Sequence, residues 1–398
     1  MFYNKLYIVI HMFDNLIDFQ KNNFEEYNNK NINQDFCINV ATTFSGIGAP
    51  EQALKRLGIK HNLVFACDIN DFCKQTYFAN YNIKEEQWYS DIHTIKGSEY
   101  KNKVDLLVGG SPCQSFSTAG KQKGLEDIRG TLIYSYINLI NEIQPKVFIF
   151  ENVKGLLSNN KGQTWEVVYN EFKKTGYDLH YQILNAKDYG IPQHRERLFL
   201  VGFKKPKPDF QFPKPVELKY KVKDFLIDKA DEKYYLNQKG IDFVKRKSDK
   251  NSEWRMCQIN SDIMLCQRAN QQFNWCGDFI REEGKPVDDK YFLKEGTKNY
   301  VLKSGTKGFY MKPETDLDIA RPLLSTMGGC HRAGVDNYYT FGERIRKLTP
   351  RECLRLMGFP DDFKIVVSDT QAYKQAGNSM VVNVLMHLFC EIYGIRKD

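Results

Sequence analysis

The sequence predicts an α/β chain: a doubly wound, mostly parallel, Rossmann-like sheet accompanied by a smaller and less regular unit. Three observations carry that expectation. From Ile38 onward, short apolar runs of strand length alternate with stretches of helical length, the pattern of strand, crossover helix and strand. At Lys204 the texture changes abruptly to a proline-broken linker, Lys204-Lys205-Pro206-Lys207-Pro208 and then Phe212-Pro213-Lys214-Pro215. From Lys347 regular periodicity returns and holds almost to the end. The expected organisation is an extension over 1–36, a first domain over 37–203, a small domain over 204–345, and closing segments over 346–398 whose last helix returns to the first domain.

Residues 1–36 are rich in asparagine, and their apolar positions keep no sustained period; a short helix around Phe13 to Tyr27 is the most they promise. Ile38 to Thr43 reads as the first strand, followed by the turn Phe44-Ser45-Gly46-Ile47-Gly48 and a helix from Pro50 to Leu57. Proline suits a helix's first turn, where its missing donor is not needed. Leu63 to Cys67 is a second strand ending at Asp68, and Asp71 to Asn80 is helical. Val104 to Val108 is a buried strand, followed by a glycine-punctuated loop and a helix from Leu132 to Ile143. Val147 to Phe150 ends in Glu151-Asn152-Val153; a helix near Thr164 to Lys174 leads to strands at Leu179 to Leu184 and Arg197 to Phe203. Beyond the linker, Thr349 with Pro350 behind it opens a helix to Met357, and Val381 to Tyr393 is a final amphipathic helix.

Bulk properties narrow the function classes. At 398 residues the chain has room for two cores. No apolar run approaches the ~20 residues that cross a bilayer. The early Leu6 to Ile10 run is too short for a secretory core and lacks a small-residue cleavage site, so a cytoplasmic protein is expected. Ten cysteines without one Cys-x-x-Cys pair argue against a disulfide framework and a zinc ribbon. Cys257, Cys266 and Cys276 are spaced too widely for a finger, so no metal is expected. The net charge of +8 is compatible with a polyanionic partner, but a Lys-, Asn- and Ile-rich composition of the kind an AT-rich genome produces gives the same excess.

Chemistry concentrates at strand ends. The turn at Gly46 and Gly48 brings backbone close to whatever lies over the first strand, and Asp68 at the next strand tip is placed for a ribose diol. The third glycine of a dinucleotide fingerprint is missing, with Glu51 in its place. An acidic side chain there suits an adenosine bearing a sulfonium better than a pyrophosphate, which points to S-adenosylmethionine and not a nicotinamide. After the Val104 to Val108 strand comes Gly109-Gly110-Ser111-Pro112-Cys113-Gln114, a thiol placed to face a ligand crevice. A methyl donor beside a thiol suits a poor carbon nucleophile such as cytosine carbon 5: a thiolate adding to carbon 6 makes carbon 5 enamine-like. That addition needs an acid near ring nitrogen 3 and a cation near oxygen 2. Glu151, and Arg195 with Arg197 two residues apart, stand at successive strand ends. Singly, Glu151 reads equally well as a helix cap and the arginines as a surface pair with Glu196; jointly they read as a site.

In that order the segments resemble the bacterial cytosine-5 DNA methyltransferases. Phe44 to Gly48 is similar to the first motif, with Asp68 and Asp91 as the acidic positions of the next two. Pro112 to Ser117 is similar to the fourth, Arg129-Gly130-Thr131-Leu132 to the segment after it, Glu151-Asn152-Val153 to the sixth, and Gln193 to Arg197 to the eighth. Arg346 to Cys353 with Met357 to Pro360 resembles the ninth, and Gln375 to Met380 the tenth. The resemblance runs from about Ile38 to the C-terminus, the middle segment excepted.

It implies Cys113 as nucleophile, Glu151 as the partner of nitrogen 3, Arg197 as donor to oxygen 2, and Arg195 as a residue holding that site together. It implies a cofactor pocket from Phe44, Gly46, Ile47, Gly48, Asp68, Ile69, Asp91, Ile92, Gly110, Pro112, Leu132, Asn378, Ser379 and Met380. Ile69 departs from relatives that stack an aromatic on the adenine. The expected partner is double-stranded DNA bound by a monomer, with any cognate restriction endonuclease acting separately. Carbon 6 is inaccessible in a stacked duplex, so the base must rotate out. Gln114, Ser117, Lys121, Lys123 and Arg129 are expected to close over it, with Gly328-Gly329 a close approach to DNA and the irregular segment reading the target. A tRNA-methylating branch shares the cysteine and glutamate, but the long insert and Arg351 to Pro360 favour DNA. A non-catalytic DNA-binding relative is disfavoured by the intact Cys113, Glu151 and Arg197 set.

Overall fold

The computed structural model describes residues 36–112, 132–227, 230–236, 238–248, 257–269, 276–282 and 344–395. Their elements are β1 (Cys37–Thr43), α1 (Ala49–Leu57), β2 (Lys60–Cys67), α2 (Asp71–Asn80), β3 (Trp88–Tyr89), β4 (Leu106–Gly109), α3 (Leu132–Ile143), β5 (Val147–Val153), α4 (Gln163–Lys174), β6 (Asp178–Asn185) and β7 (Glu196–Phe203). After the linker come α5 (Gln238–Lys247), β8 (Cys257–Ile259), β9 (Gly277–Glu282), β10 (Arg344–Lys347), α6 (Pro350–Arg355), α7 (Asp369–Asn378) and α8 (Val382–Tyr393).

Seven strands form one sheet in the order β3-β2-β1-β4-β5-β7-β6. The pairs from β3 to β5 are parallel, which gathers the carboxyl ends of β1, β2, β4 and β5 along one edge. β7 slots between β5 and β6 and runs antiparallel to both. Its first residues therefore arrive at the edge where its neighbours end, with Arg197 opposite Val153. The mostly parallel sheet expected from the sequence is observed, and this antiparallel insertion is the detail that strand spacing did not reveal. Strand β5 also runs on through Glu151, so that residue lies inside the strand and does not cap it.

Strands buried on both faces read as continuous apolar runs because helices cover both sides. On one face Tyr136 of α3 and Phe172 of α4 pack against Phe148 and Phe150 of β5, with Phe148 and Phe172 stacked at 5.6 Å. The other face carries α1 and α8, which pack together. Helix α8 buries Leu385, Leu388 and Phe389, and Arg56 of α1 donates to the Gly358 carbonyl and to Asn383 of α8 at 3.2 Å. The C-terminal helix thus completes the sheet's second layer.

Helix α6 starts on a reciprocal cap. The Thr349 hydroxyl accepts from the Glu352 amide, and the Glu352 carboxylate accepts from the Thr349 amide at 2.7 Å. Two compact units contain the described residues. The first runs through Ala230 and adds Phe243–Asp278 and everything from Leu348 onward; the second takes Asp231–Asp242 and Phe279–Lys347. Within the second, β9 and β10 pair antiparallel, Phe279 opposite Lys347. Among the described residues no helix is long and apolar enough to cross a membrane.

Candidate active site

The carboxyl edge of the sheet opens into a cavity of about 610 Å³. Its wall takes the β1 turn, the ends of β2, β4 and β5, Ser90 to Ile92, Leu132 at the start of α3, Arg195 and Arg197, and the α7 stretch with Gly377 to Met380. Two ends of this cavity are built differently.

At the first end, backbone does the shaping. Gly46 and Gly48 have φ of +54° and +79°, a region open to glycine and costly for side chains, and Phe44 between strand and turn is held at +52°. The turn is pinned to β2: the Ser45 amide donates to the Cys67 carbonyl at 2.9 Å, and the Gly46 amide donates to Asp68 at 2.8 Å. The other Asp68 oxygen accepts from the Asn70 amide at 2.9 Å. Burial pushes the Asp68 carboxyl above the ordinary carboxylate range, and those two backbone donors pull it partly back. Asp91 is exposed and its carboxyl is held low by the His93 amide and imidazole. Ile69 is 83% exposed at the rim.

Of the sequence-predicted pocket residues, Phe44, Gly46, Asp68, Ile69, Asp91, Ile92, Gly110, Pro112, Leu132, Asn378, Ser379 and Met380 all reach the wall. Ile47 and Gly48 do not. The Ile47 side chain turns into the core, and Gly48 starts α1 against Tyr81, whose ring a Cβ would meet at 2.2 Å. These two shape the turn from behind. Glu51 is a further correction: it is fully buried behind the wall, accepting from the Tyr77 hydroxyl at 2.6 Å and the Thr42 hydroxyl at 2.9 Å. Burial pushes its carboxyl up, which favours the neutral form, and the Tyr77 and Thr42 hydroxyls pull it partly back.

At the second end, buried side chains do the work. The Arg197 guanidinium lies 3.2 Å from the Glu151 carboxylate. Burial raises the Glu151 carboxyl above its usual range, and Arg197 followed by Arg195 draws it down in part. Arg195 is almost sealed; it donates to the carbonyls of Gln267, Gly377 and Ser379 at 2.8, 2.9 and 2.9 Å. Burial, with Arg197 nearby, lowers it to about 10. Glu196, the alternative partner for these arginines, pairs instead with Lys154 at 2.9 Å. The chain needs glycine at both tight approaches: a Cβ on Gly377 would sit 2.4 Å from the Ala269 amide nitrogen, and one on Gly110 would meet Met380 at 2.9 Å and Glu151 at 3.0 Å. Asn152 donates to the Ser111 carbonyl at 3.1 Å and so fixes the segment that leads to Pro112.

Cys113, Gln114, Ser117, Lys121, Lys123, Arg129, Gly328 and Gly329 lie outside the described residues, as does the extension before Phe36. Several wall residues escaped the sequence reading: Thr43, Asn70, Ser111, Gln371, Lys374 and Gln375. The buried hydroxyls of Thr43 and Ser111 have no partner among the described residues, so the wall offers unfilled polar positions as well as carboxylates. A polar, cationic, adenosine-like ligand fits that donor set. Among the described residues no group of three or more His, Cys, Asp or Glu is placed to hold a metal.

Comparison with known proteins settles the family. The C-5 cytosine-specific DNA methylase family matches residues 38–394. The chain belongs to that family. It is a DNA (cytosine-5) methyltransferase. Among its relatives, the Type II methyltransferase M.HhaI of Haemophilus parahaemolyticus is 34% identical over 347 residues, covering 87% of this chain and 91% of that one. The Type II methyltransferase M.HpaII of Haemophilus parainfluenzae is 32% identical, covering 93% of each chain. The orphan methyltransferase M.SPRI of Bacillus phage SPR is 32% identical, over 89% of this chain and 97% of that relative. The crystal structure of the S. pombe Dnmt2 methyltransferase superposes with a TM-score of 0.60 at 19% identity, covering 89% of this methyltransferase and 97% of that chain, a likeness of fold.

Proposed function

We propose that this methyltransferase moves a methyl group from S-adenosylmethionine to carbon 5 of a cytosine rotated out of a specific double-stranded DNA sequence, through a covalent adduct between Cys113 and carbon 6. The observation that carries the reading is the Glu151–Arg197 pair, a buried acid with an elevated carboxyl beside a guanidinium on the wall of the cavity that the Asp68 turn also lines.

The residues divide the work as follows. The Cys113 thiolate adds to carbon 6, and the electron pair moves toward the ring's nitrogen 3 and oxygen 2. Glu151, whose burial favours the protonated form, gives a proton to nitrogen 3; Arg197 donates a hydrogen bond to oxygen 2. Arg195 acts through others, tying the Gly377 to Ser379 backbone to the wall. The bound cofactor supplies a methyl group on a sulfonium, open to attack by the enamine-like carbon 5. A base then takes the carbon 5 proton, the C5–H pair closes the C5–C6 double bond, the C6–S pair leaves with the Cys113 thiolate, and nitrogen 3 returns its proton to Glu151. Asp68 would hold the ribose diol, Asp91 and Ile92 the adenine edge, and Ile69 would pack on the ring without stacking. Gln114, Ser117, Lys121, Lys123 and Arg129 would close over the extruded base, while residues 204–345, Gly328 and Gly329 included, would face the target.

Bisulfite sequencing of DNA from cells expressing the protein tests the reading. Protected cytosines at one recurring sequence are expected. Unprotected DNA together with methylated tRNA from the same cells would overturn it.

A further inference from the structure

Among the described residues, three cationic side chains reach the cavity wall, Arg195, Arg197 and Lys374. Arg195 is spent on three carbonyls and Arg197 on Glu151. Lys374, half-buried in the last turns of α7, also reaches the wall, and it has no hydrogen bond or ion pair among the described residues. Its backbone is firmly held. Neighbouring Gln375 exchanges hydrogen bonds with Thr76 and donates to the Phe72 carbonyl at 2.9 Å, and the Tyr373 hydroxyl donates to the Leu348 carbonyl at 2.5 Å. A lysine carried into the cavity wall by a firmly held helix, without a partner among the described residues, is placed to meet an anion on a bound ligand.

We propose that Lys374 is the counter-ion for the α-carboxylate of the bound cofactor, an inference that rests on reading this cavity as the S-adenosylmethionine site. That ligand carries one carboxylate at its amino-acid end, an anion for which the other wall cations, Arg197 on Glu151 and Arg195 on three carbonyls, are already engaged. Lys374 supplies the matching charge and so discriminates the whole cofactor from nucleoside fragments that lack the amino-acid portion.

Calorimetric titration of the full chain with S-adenosylmethionine and with 5′-methylthioadenosine, which keeps the nucleoside and loses the amino acid, tests this. Lys374→Met is expected to weaken the full cofactor roughly tenfold, the worth of one charge-assisted hydrogen bond, and to leave methylthioadenosine unchanged. Lys374→Arg is expected to restore most of the loss. Equal weakening of both ligands would mean that Lys374 only shapes the cavity and would overturn the proposal. So would an unchanged cofactor affinity with weaker, less salt-sensitive duplex binding, which would assign the lysine to a DNA phosphate. If the wild-type protein bound neither ligand, the cofactor site itself would be refuted and this inference with it.

Discussion

The two ends of the cavity reach specificity by opposite means. The end at β1 and β2 is shaped by backbone: positive-φ glycines, amide donors and one carboxylate whose bonds run to main chain. The end at β5 and β7 is shaped by buried charge: Glu151, Arg197 and Arg195. A shape made of backbone tolerates little change in volume but much change in side-chain charge. A shape made of buried charge tolerates little change in charge, because an unpaired ion in a dry site is costly. The antiparallel entry of β7 makes the second end possible, since a parallel strand there would bring its carboxyl terminus, and not Arg197, to this edge.

The contrast can be broken first at Glu151. Glu151→Gln keeps a hydrogen-bond donor but has no proton to transfer, so methyl transfer to duplex should fall by about 10²–10⁴. Binding of the cofactor should stay unchanged. The wild-type carboxyl is raised by burial, so its protonated form persists above the ordinary range; the rate should fall as pH climbs through that raised value, and the Gln variant should lack this alkaline limb. Steady-state rates across pH, with calorimetry for the cofactor, check both halves. A variant that lost cofactor binding in proportion to rate would merge the two ends into one.

The backbone-built end is sharpened by its glycines. Gly48→Ala combines a positive φ with a ring 2.2 Å away and should cost about 1–3 kcal/mol in thermal unfolding. Gly46→Ala carries the same conformational penalty but meets only a carbonyl at 4.0 Å, so about 1 kcal/mol is expected. The reverse order would show that the turn's conformation, and not its packing on Tyr81, dominates. The smallest effect belongs to Glu51→Gln. A carboxyl that burial pushes toward its neutral form, and that accepts from Tyr77 and Thr42 through one oxygen, should tolerate the amide within about 1 kcal/mol, with unchanged cofactor affinity. A large loss of affinity would return Glu51 to the role its sequence position invites.

Much of this was legible in the chain because strands buried on both faces advertise themselves: Val147 to Phe150 and Leu198 to Phe203 are apolar throughout. Direction was not, since an apolar run reads the same parallel or antiparallel, and only the register of β5 with β7 reveals it. Helix α7 was missed for a different reason. Its inward-facing residues include Gln375, buried through hydrogen bonds to Thr76 and Phe72, so no apolar stripe marks it, and Gln371 and Lys374 were overlooked with it. Strand β3 has two residues, too few for any period. Glu51 misled because an acidic residue in a helix's first turn reads as exposed, whereas here it is 0% exposed beneath the turn. Asp68, Glu151 and the two arginines were found because charge at the end of an apolar strand is costly unless it has work to do.

The proposed transient bond between the Cys113 sulfur and cytosine carbon 6 is put to the test by incubating the protein and S-adenosylmethionine with duplex carrying 5-fluorocytosine at the target position. Fluorine cannot leave as a proton does, so the elimination step should stall, and mass spectrometry should find the DNA attached at Cys113 in the wild type and nowhere in Cys113→Ala. Methylation of ordinary duplex by Cys113→Ala at the wild-type rate, or a wild-type protein that methylates ordinary duplex yet leaves the fluorinated strand free, would contradict it.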